Sequence, residues 1–214
     1  MRIEVKDYTK TIKNTTVLDH INVTFESGKV YGLKGKNGSG KTMLMRAVSG
    51  LIKPTSGQII IENEVLGKDI SFPRSIGVLI ENPSFLSNET GFMNLRMLAD
   101  LGEGVSDEDI KKTLEEVGLD PEDRKSYKKY SLGMKQKLGI AAAIMEHPDI
   151  IVLDEPINAL DQDSVEAVKK LIIRERDRGA VIILACHDTE ELEYLADEII
   201  CIQAGKIIPG LPEE

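Results

Sequence analysis

Apolar side chains recur along this chain with two different periods, and the places where the period changes divide it into segments. Over residues 1–31 they alternate with polar ones, in IEVKDY from Ile3 and VLDHINVTFE from Val17, before the turn SGK leads into VYGLKG. Alternation of that kind belongs to strands with one buried face, so the pattern predicts paired strands with an antiparallel edge. QIIIENEVL from Gln58 adds a strand with a polar turn, and SIGVLI from Ser75 a short apolar strand that continues the sheet. From about Pro83 to Met145 the spacing becomes helical: FMNLRMLADL, then SDEDIKKTLEEVGL with Ser106 three residues before Asp109, then LGIAAAIM behind Ser131. Strand and helix then alternate: DIIVLDEP, the helix DSVEAVKKLIIRERDRG ending at Gly179, the strand AVIILAC, the helix DTEELEYLADE, and the strands IICIQ and GKII.

That order predicts an α/β fold with a mostly parallel sheet, an N-terminal antiparallel β part and an inserted helical part. It is expected to form one domain over 1–214, with 1–81 and 146–214 as core and 82–145 as helical insert. No internal repeat, low-complexity tract or linker breaks it.

Charge and composition narrow the partners. Lys and Arg number 27 against 36 acidic residues, a formal charge of −9, which argues against a broad footprint for nucleic acid. The longest apolar runs, such as Ala180 to Cys186, have strand length and fall far short of the roughly 20 residues that span a bilayer, so direct membrane insertion is not expected. The N-terminus alternates like a first strand and lacks an apolar signal core, which points to the cytoplasm. Cys186 and Cys201 sit in apolar strand-like runs without metal-ligand spacing and read as buried free thiols.

The strongest chemical signal is GKNGSGKT, from Gly35 to Thr42, between the strand VYGLK and the helical run MLMRAVSGL. It fits G-x-x-x-x-G-K-[ST]: Gly35, Gly38 and Gly40 let the loop of Lys36, Asn37 and Ser39 turn its N–H groups inward on phosphates. Lys41 then reaches the β- and γ-phosphates and Thr42 can ligate Mg²⁺. IIVLDEP supplies two carboxylates at the C-terminal end of a buried strand, where α/β proteins bind ligands. Asp154 is the candidate for Mg²⁺ and Glu155 for polarising an attacking water. His187 follows AVIILAC at the same kind of strand end, in reach of the γ-phosphate and that water. Ser131 has the chemistry of a helix N-cap, and the helix start it opens is a further anion site.

GKNGSGKT, YSLGMKQ, IIVLDEP, NALD and ACHD, in that order and spacing, resemble the nucleotide-binding subunit of an ABC transporter over nearly the whole chain. The resemblance implies a P-loop NTPase (RecA-like) core that hydrolyses ATP with Mg²⁺. It also implies a second ABC cassette, identical or related, paired head to tail, so that Ser131 and Gly133 serve the ATP held by the partner. Asp161 in NALD matches the segment that runs along that interface. The helical insert is the part that touches transmembrane permease subunits, which would hold the cassette at the inner face of the membrane.

Some positions depart from the family pattern. Leu132 and Met134 replace the first Gly and the Gln of the usual LSGGQ, and Glu81 replaces a Gln that senses Mg²⁺ and water. A carboxylate can still ligate Mg²⁺ but donates no hydrogen bond while ionised. Ile12 stands roughly thirty residues before Lys41, where an aromatic usually stacks on adenine; it either supplies a plain apolar contact or leaves base stacking weaker. YSLGMKQ and IENPSF resemble the branch that handles bacitracin, lantibiotics and similar peptides. A soluble ABC ATPase, or an ATP-sensing module without a membrane partner, is the alternative.

Overall fold

The strands form two sheets, in keeping with the expected mostly parallel sheet and N-terminal antiparallel β part. In the computed structural model, which describes residues 1–102 and 104–210, β1 (Arg2–Ile12) pairs antiparallel with β2 (Thr15–Glu26) and with β4 (Ser56–Ile61), and β5 (Glu64–Val65) closes that sheet in the order β2-β1-β4-β5. β3 (Lys29–Lys34) follows β2 by a tight turn yet leaves the antiparallel sheet. It lies in a six-stranded sheet with β6 (Ile76–Leu79), β7 (Ile150–Asp154), β8 (Val181–Ala185), β9 (Glu198–Gln203) and β10 (Lys206–Ile208), in the order β10-β9-β3-β8-β7-β6. All its pairings are parallel except β10 with β9.

Every residue of β7 and β8 is buried, as expected for central strands covered on both faces. Successive residues then serve two different cores. Ile151, Leu153, Ile182 and Leu184 pack with the helices on one side. Ile150, Val152, Val181 and Ile183 pack with Leu44, Met45 and the inner face of the antiparallel sheet, including Ile3, Leu18 and Phe25, on the other.

Among the described residues six α-helices complete the fold: α1 (Lys41–Val48), α2 (Gly91–Ala99), α3 (Asp107–Glu116), α4 (Leu132–Ile144), α5 (Gln162–Arg178) and α6 (Thr189–Leu195). The predicted caps form. Ser106 Oγ accepts the Asp109 N–H at 3.2 Å while the Asp109 carboxylate accepts the Ser106 N–H at 3.1 Å, and α5 stops at Gly179 with φ 106°.

Two helices end earlier than their apolar runs. α1 stops at Val48, where Ser49 Oγ bonds back to Met45 O at 2.8 Å and Gly50 turns to φ 76°. α6 stops at Leu195 because Asp197 exchanges two bonds with Val30, N–H to carbonyl at 2.8 Å and carboxylate from N–H at 2.8 Å, which starts β9 on the sheet.

α2, α3 and α4 fall inside the predicted 82–145 insert. Residues 211–214 of the predicted domain lie outside the described residues, and among those described no helix is long and apolar enough to cross a membrane. Cys186 and Cys201 are both buried, and burial pushes the Cys186 thiol up to about 11.

Candidate functional site

The loop from Gly35 to Gly40 joins β3 to α1 and brings a helix start to the C-terminal edge of the parallel sheet. Gly40, at φ 117°, caps α1 without any side-chain hydrogen bond, and the first turn carries no acidic residue. The N–H groups at that end face outward with a positive dipole end, which is the chemistry of an anion site. Lys41 lies back along the loop, its Nζ donating to Gly35 O at 2.6 Å and Lys36 O at 3.3 Å.

A cavity of about 360 Å³ opens here, lined by Asn37, Gly38, Ser39, Gly40, Lys41, Thr42, Met43, Asp154, Glu155, His187 and Val17. Asp154 ends β7, is 9% exposed, and accepts the Thr42 hydroxyl at 2.7 Å. These two hard oxygens suit Mg²⁺, which keeps waters and bridges substrate phosphates rather than requiring a cage of side chains. Among the described residues no group of three or more His, Cys, Asp or Glu gathers as such a cage.

Glu155 follows in an unusual conformation. Its φ is 52°, a left-handed value rare for a residue with a side chain. Its N–H donates to Ala185 O at 2.9 Å, and its Oε2 accepts the His187 N–H at 3.0 Å, with His187 Nε2 3.5 Å from Oε1. Burial, aided by the Asp154 charge, raises the Glu155 carboxyl above the ordinary glutamate range, against the pull of the His187 N–H and Lys41.

Other predicted residues stand elsewhere. Ser131 caps α4, its Oγ accepting the Met134 N–H at 3.2 Å, and is exposed beside Leu132, itself 61% exposed. A Cβ on Gly133 would come within 2.9 Å of Ala159 O, so the close approach that glycine permits is used by a loop of the same chain. Asp161 caps α5 by accepting the Ser164 N–H at 3.0 Å and hydroxyl at 2.8 Å; these bonds, the N–H first, hold its carboxyl below the ordinary range. Glu81 borders a second recess, of about 270 Å³, shared with Leu132, Gln136, Asp154, Glu155 and Ala159. There its carboxylate is 63% exposed and accepts Arg46 Nη2 at 2.6 Å.

Ile12 is not brought to the P-loop cavity. It ends β1, is 43% exposed and pairs with Thr15, because the chain reverses at Lys13, with φ 54°, and it is Val17 on β2 that reaches the cavity wall. Val17 carried no signal apart from its place on an apolar strand face. Arg46 gave none either. Gln136 had one: a polar residue opening an otherwise apolar helical run, it is 7% exposed and donates from Nε2 to Glu155 O at 2.8 Å.

Comparison with known proteins adds to the geometry. The sequence profile described as ABC transporter matches residues 18–158. The chain is similar to the uncharacterized ABC transporter ATP-binding protein YybJ of Bacillus subtilis, 49% identical across 96% of this chain and 94% of that one. It is also similar to the bacitracin transport ATP-binding protein BcrA of Enterococcus faecalis, 41% identical across 96% of this chain and 68% of that one. Among solved structures, the cassette MJ0796, dimeric in a post-hydrolysis state with ADP and Pi, superposes with a TM-score of 0.87 over 97% of each chain at 22% identity, a likeness of fold.

Proposed function

The chain belongs to the ABC transporter family as its ATP-binding, ATP-hydrolysing cassette, and from that premise we propose that two cassettes close head to tail on two ATP molecules and drive separate permease subunits. The cargo of that transport is a membrane-active peptide of the bacitracin or lantibiotic kind, moved outward.

One observation carries the reading. Lys41, Thr42, Asp154, Glu155 and His187 line one cavity, while exposed Ser131 and its helix start lie outside that lining. Such a division suits a site that a second chain completes.

In this site the N–H groups of Asn37 to Thr42 and the Lys41 ammonium hold the triphosphate, and Val17 on the cavity wall, with Ile12 exposed at the end of β1, offers the base an apolar contact. Thr42 and Asp154 would hold Mg²⁺, with Glu81 at the edge of its surroundings. When bound, that ion neutralises charge on the β- and γ-phosphate oxygens. Glu155 orients the attacking water and accepts its proton, which its raised pKa favours. His187 sits beside Glu155 at the γ-phosphate. Ser131 of the opposing chain donates its hydroxyl proton there, since phosphate oxygens only accept and the bond its Oγ accepts from the Met134 N–H leaves that proton free. Asp161 runs along the shared interface.

Leu86, Met93, Met97 and Leu101 are exposed on the helical insert, the last three spaced four apart, and support a protein partner on that face. A permease there would hold the cassette at the inner surface of the membrane. Light scattering on Glu155→Gln with and without Mg-ATP tests the pair: the mass is expected to double with nucleotide while wild type turns ATP over. A variant that binds Mg-ATP and stays at monomer mass would overturn pairing of two identical chains.

A further inference from the structure

We propose that Gln136 is a positioning residue that ties the start of α4 to Glu155 of its own chain, so that what Ser131 meets outside is transmitted to the water-activating carboxylate inside. The inference rests on the cassette-pair reading.

The geometry begins with Glu155. A left-handed backbone at a residue with a side chain persists only where surrounding contacts hold it. Here the N–H is held by Ala185 O at 2.9 Å and the carboxylate by the His187 N–H at 3.0 Å. The carbonyl is held by Gln136 Nε2 at 2.8 Å and by the Asn158 N–H at 3.2 Å. Gln136 also reaches Pro156 O at 3.3 Å, so one buried amide spans two successive carbonyls.

Gly133 lies three residues earlier and therefore on the same side of α4. The Cβ it lacks would stand 2.9 Å from Ala159 O, so the first turns of the helix rest on segment 155–159 at two separated points. Ser131 and Leu132 are exposed to solvent. A helix moves as a rigid body over so short a distance. A shift of its exposed start therefore reaches the Glu155 carbonyl through the Gln136 amide. In a head-to-tail pair, Ser131 serves the partner's ATP and Glu155 its own chain's, so this link couples the two sites.

Gln136→Met keeps the length and removes both donors; Gln136→Asn keeps the amide, shortens its reach and guards against a variant that does not fold. For both, turnover per folded chain is expected to fall about ten- to a hundredfold, as for a reacting group displaced by an ångström. Half-saturating ATP should stay within about twofold. Gln136→Met added to Glu155→Gln should still double in mass with Mg-ATP.

Turnover within about twofold of wild type, with only a lower melting temperature, would mean a purely structural amide and overturn the inference. Loss of pairing together with turnover would overturn it too, by placing Gln136 in docking. Glu155→Gln remaining monomeric on Mg-ATP, with Gln136 intact, would instead remove the pair itself and the inference with it.

Discussion

Glu155 shows how a catalytic assignment leaves a mark on stability. Its folded pKa is raised, so the stability it contributes is present below the ordinary glutamate value and is lost as pH rises through the folded one. At neutral pH the ionised carboxylate, half-buried beside Asp154, weighs against the fold. Glu155→Gln keeps an acceptor for the His187 N–H and removes the charge. Its melting temperature is expected to exceed that of wild type at pH 7 and to converge with it near pH 4, while turnover falls about a hundredfold or more; calorimetry at both pH values and a phosphate-release assay measure this. Thr42→Val removes the hydroxyl that donates to Asp154 at 2.7 Å. ATP affinity in EDTA should be unchanged and the gain on adding Mg²⁺ lost; a gain equal to wild type would take Thr42 out of the ion's shell.

At the scale of elements, capping residues carry double duty. Asp161 closes α5, the longest helix among the described residues at 17 residues, through bonds to Ser164, and sits where the proposed interface runs. Asp161→Ala should lower the urea midpoint at pH 7. Because the folded carboxyl titrates below its ordinary range, the difference from wild type should shrink as pH falls through that value. Ser131 is the same device on α4. The Ser131 cap was legible in the sequence, because a cap is a local bond between a side chain and an N–H three residues on, whereas the sequence pattern starts α5 at Asp163 and leaves the Asp161 cap to the structure. The premature ends of α1 and α6 were not: Ser49 and Asp197 stop helices by contacts that periodicity does not encode, one of them with Val30 on another strand.

Across the whole molecule, Glu175 joins parts distant in sequence. It is 1% exposed and meets Arg178 Nε at 2.8 Å, Arg174 Nη2 at 3.1 Å and His147 Nδ1 at 3.4 Å, while Arg174 also reaches Glu116 on α3 at 2.7 Å. Burial pushes its carboxyl up, but the bonds from Arg178 and Arg174 outweigh it and hold it below the ordinary range. Its contribution is therefore present above the ordinary glutamate value and lost as pH falls through the folded pKa. Glu175→Ala should lower stability near neutral pH, seen as an earlier urea midpoint, with a smaller difference in acid; solvent reaches Arg174 and Arg178, 41% and 33% exposed, and moderates the loss. The pairs with Arg174 and Arg178 are visible in the local run RERDR, but nothing in that run marks the reach to His147 in the turn before β7 or, through Arg174, to Glu116 on α3. The same distinction runs through the protein. The sequence alone determined the strands, most helices, their caps and the P-loop with its two strand-end carboxylates, because each depends on neighbours a few residues away or on a fixed spacing. Only the tertiary structure decided which strands enter which sheet, that Val17 lines the P-loop cavity while Ile12 does not, that Arg46 holds Glu81, and that Gln136 supports Glu155. Those outcomes depend on which segments pack together, and chain reversal and packing are settled by the whole fold.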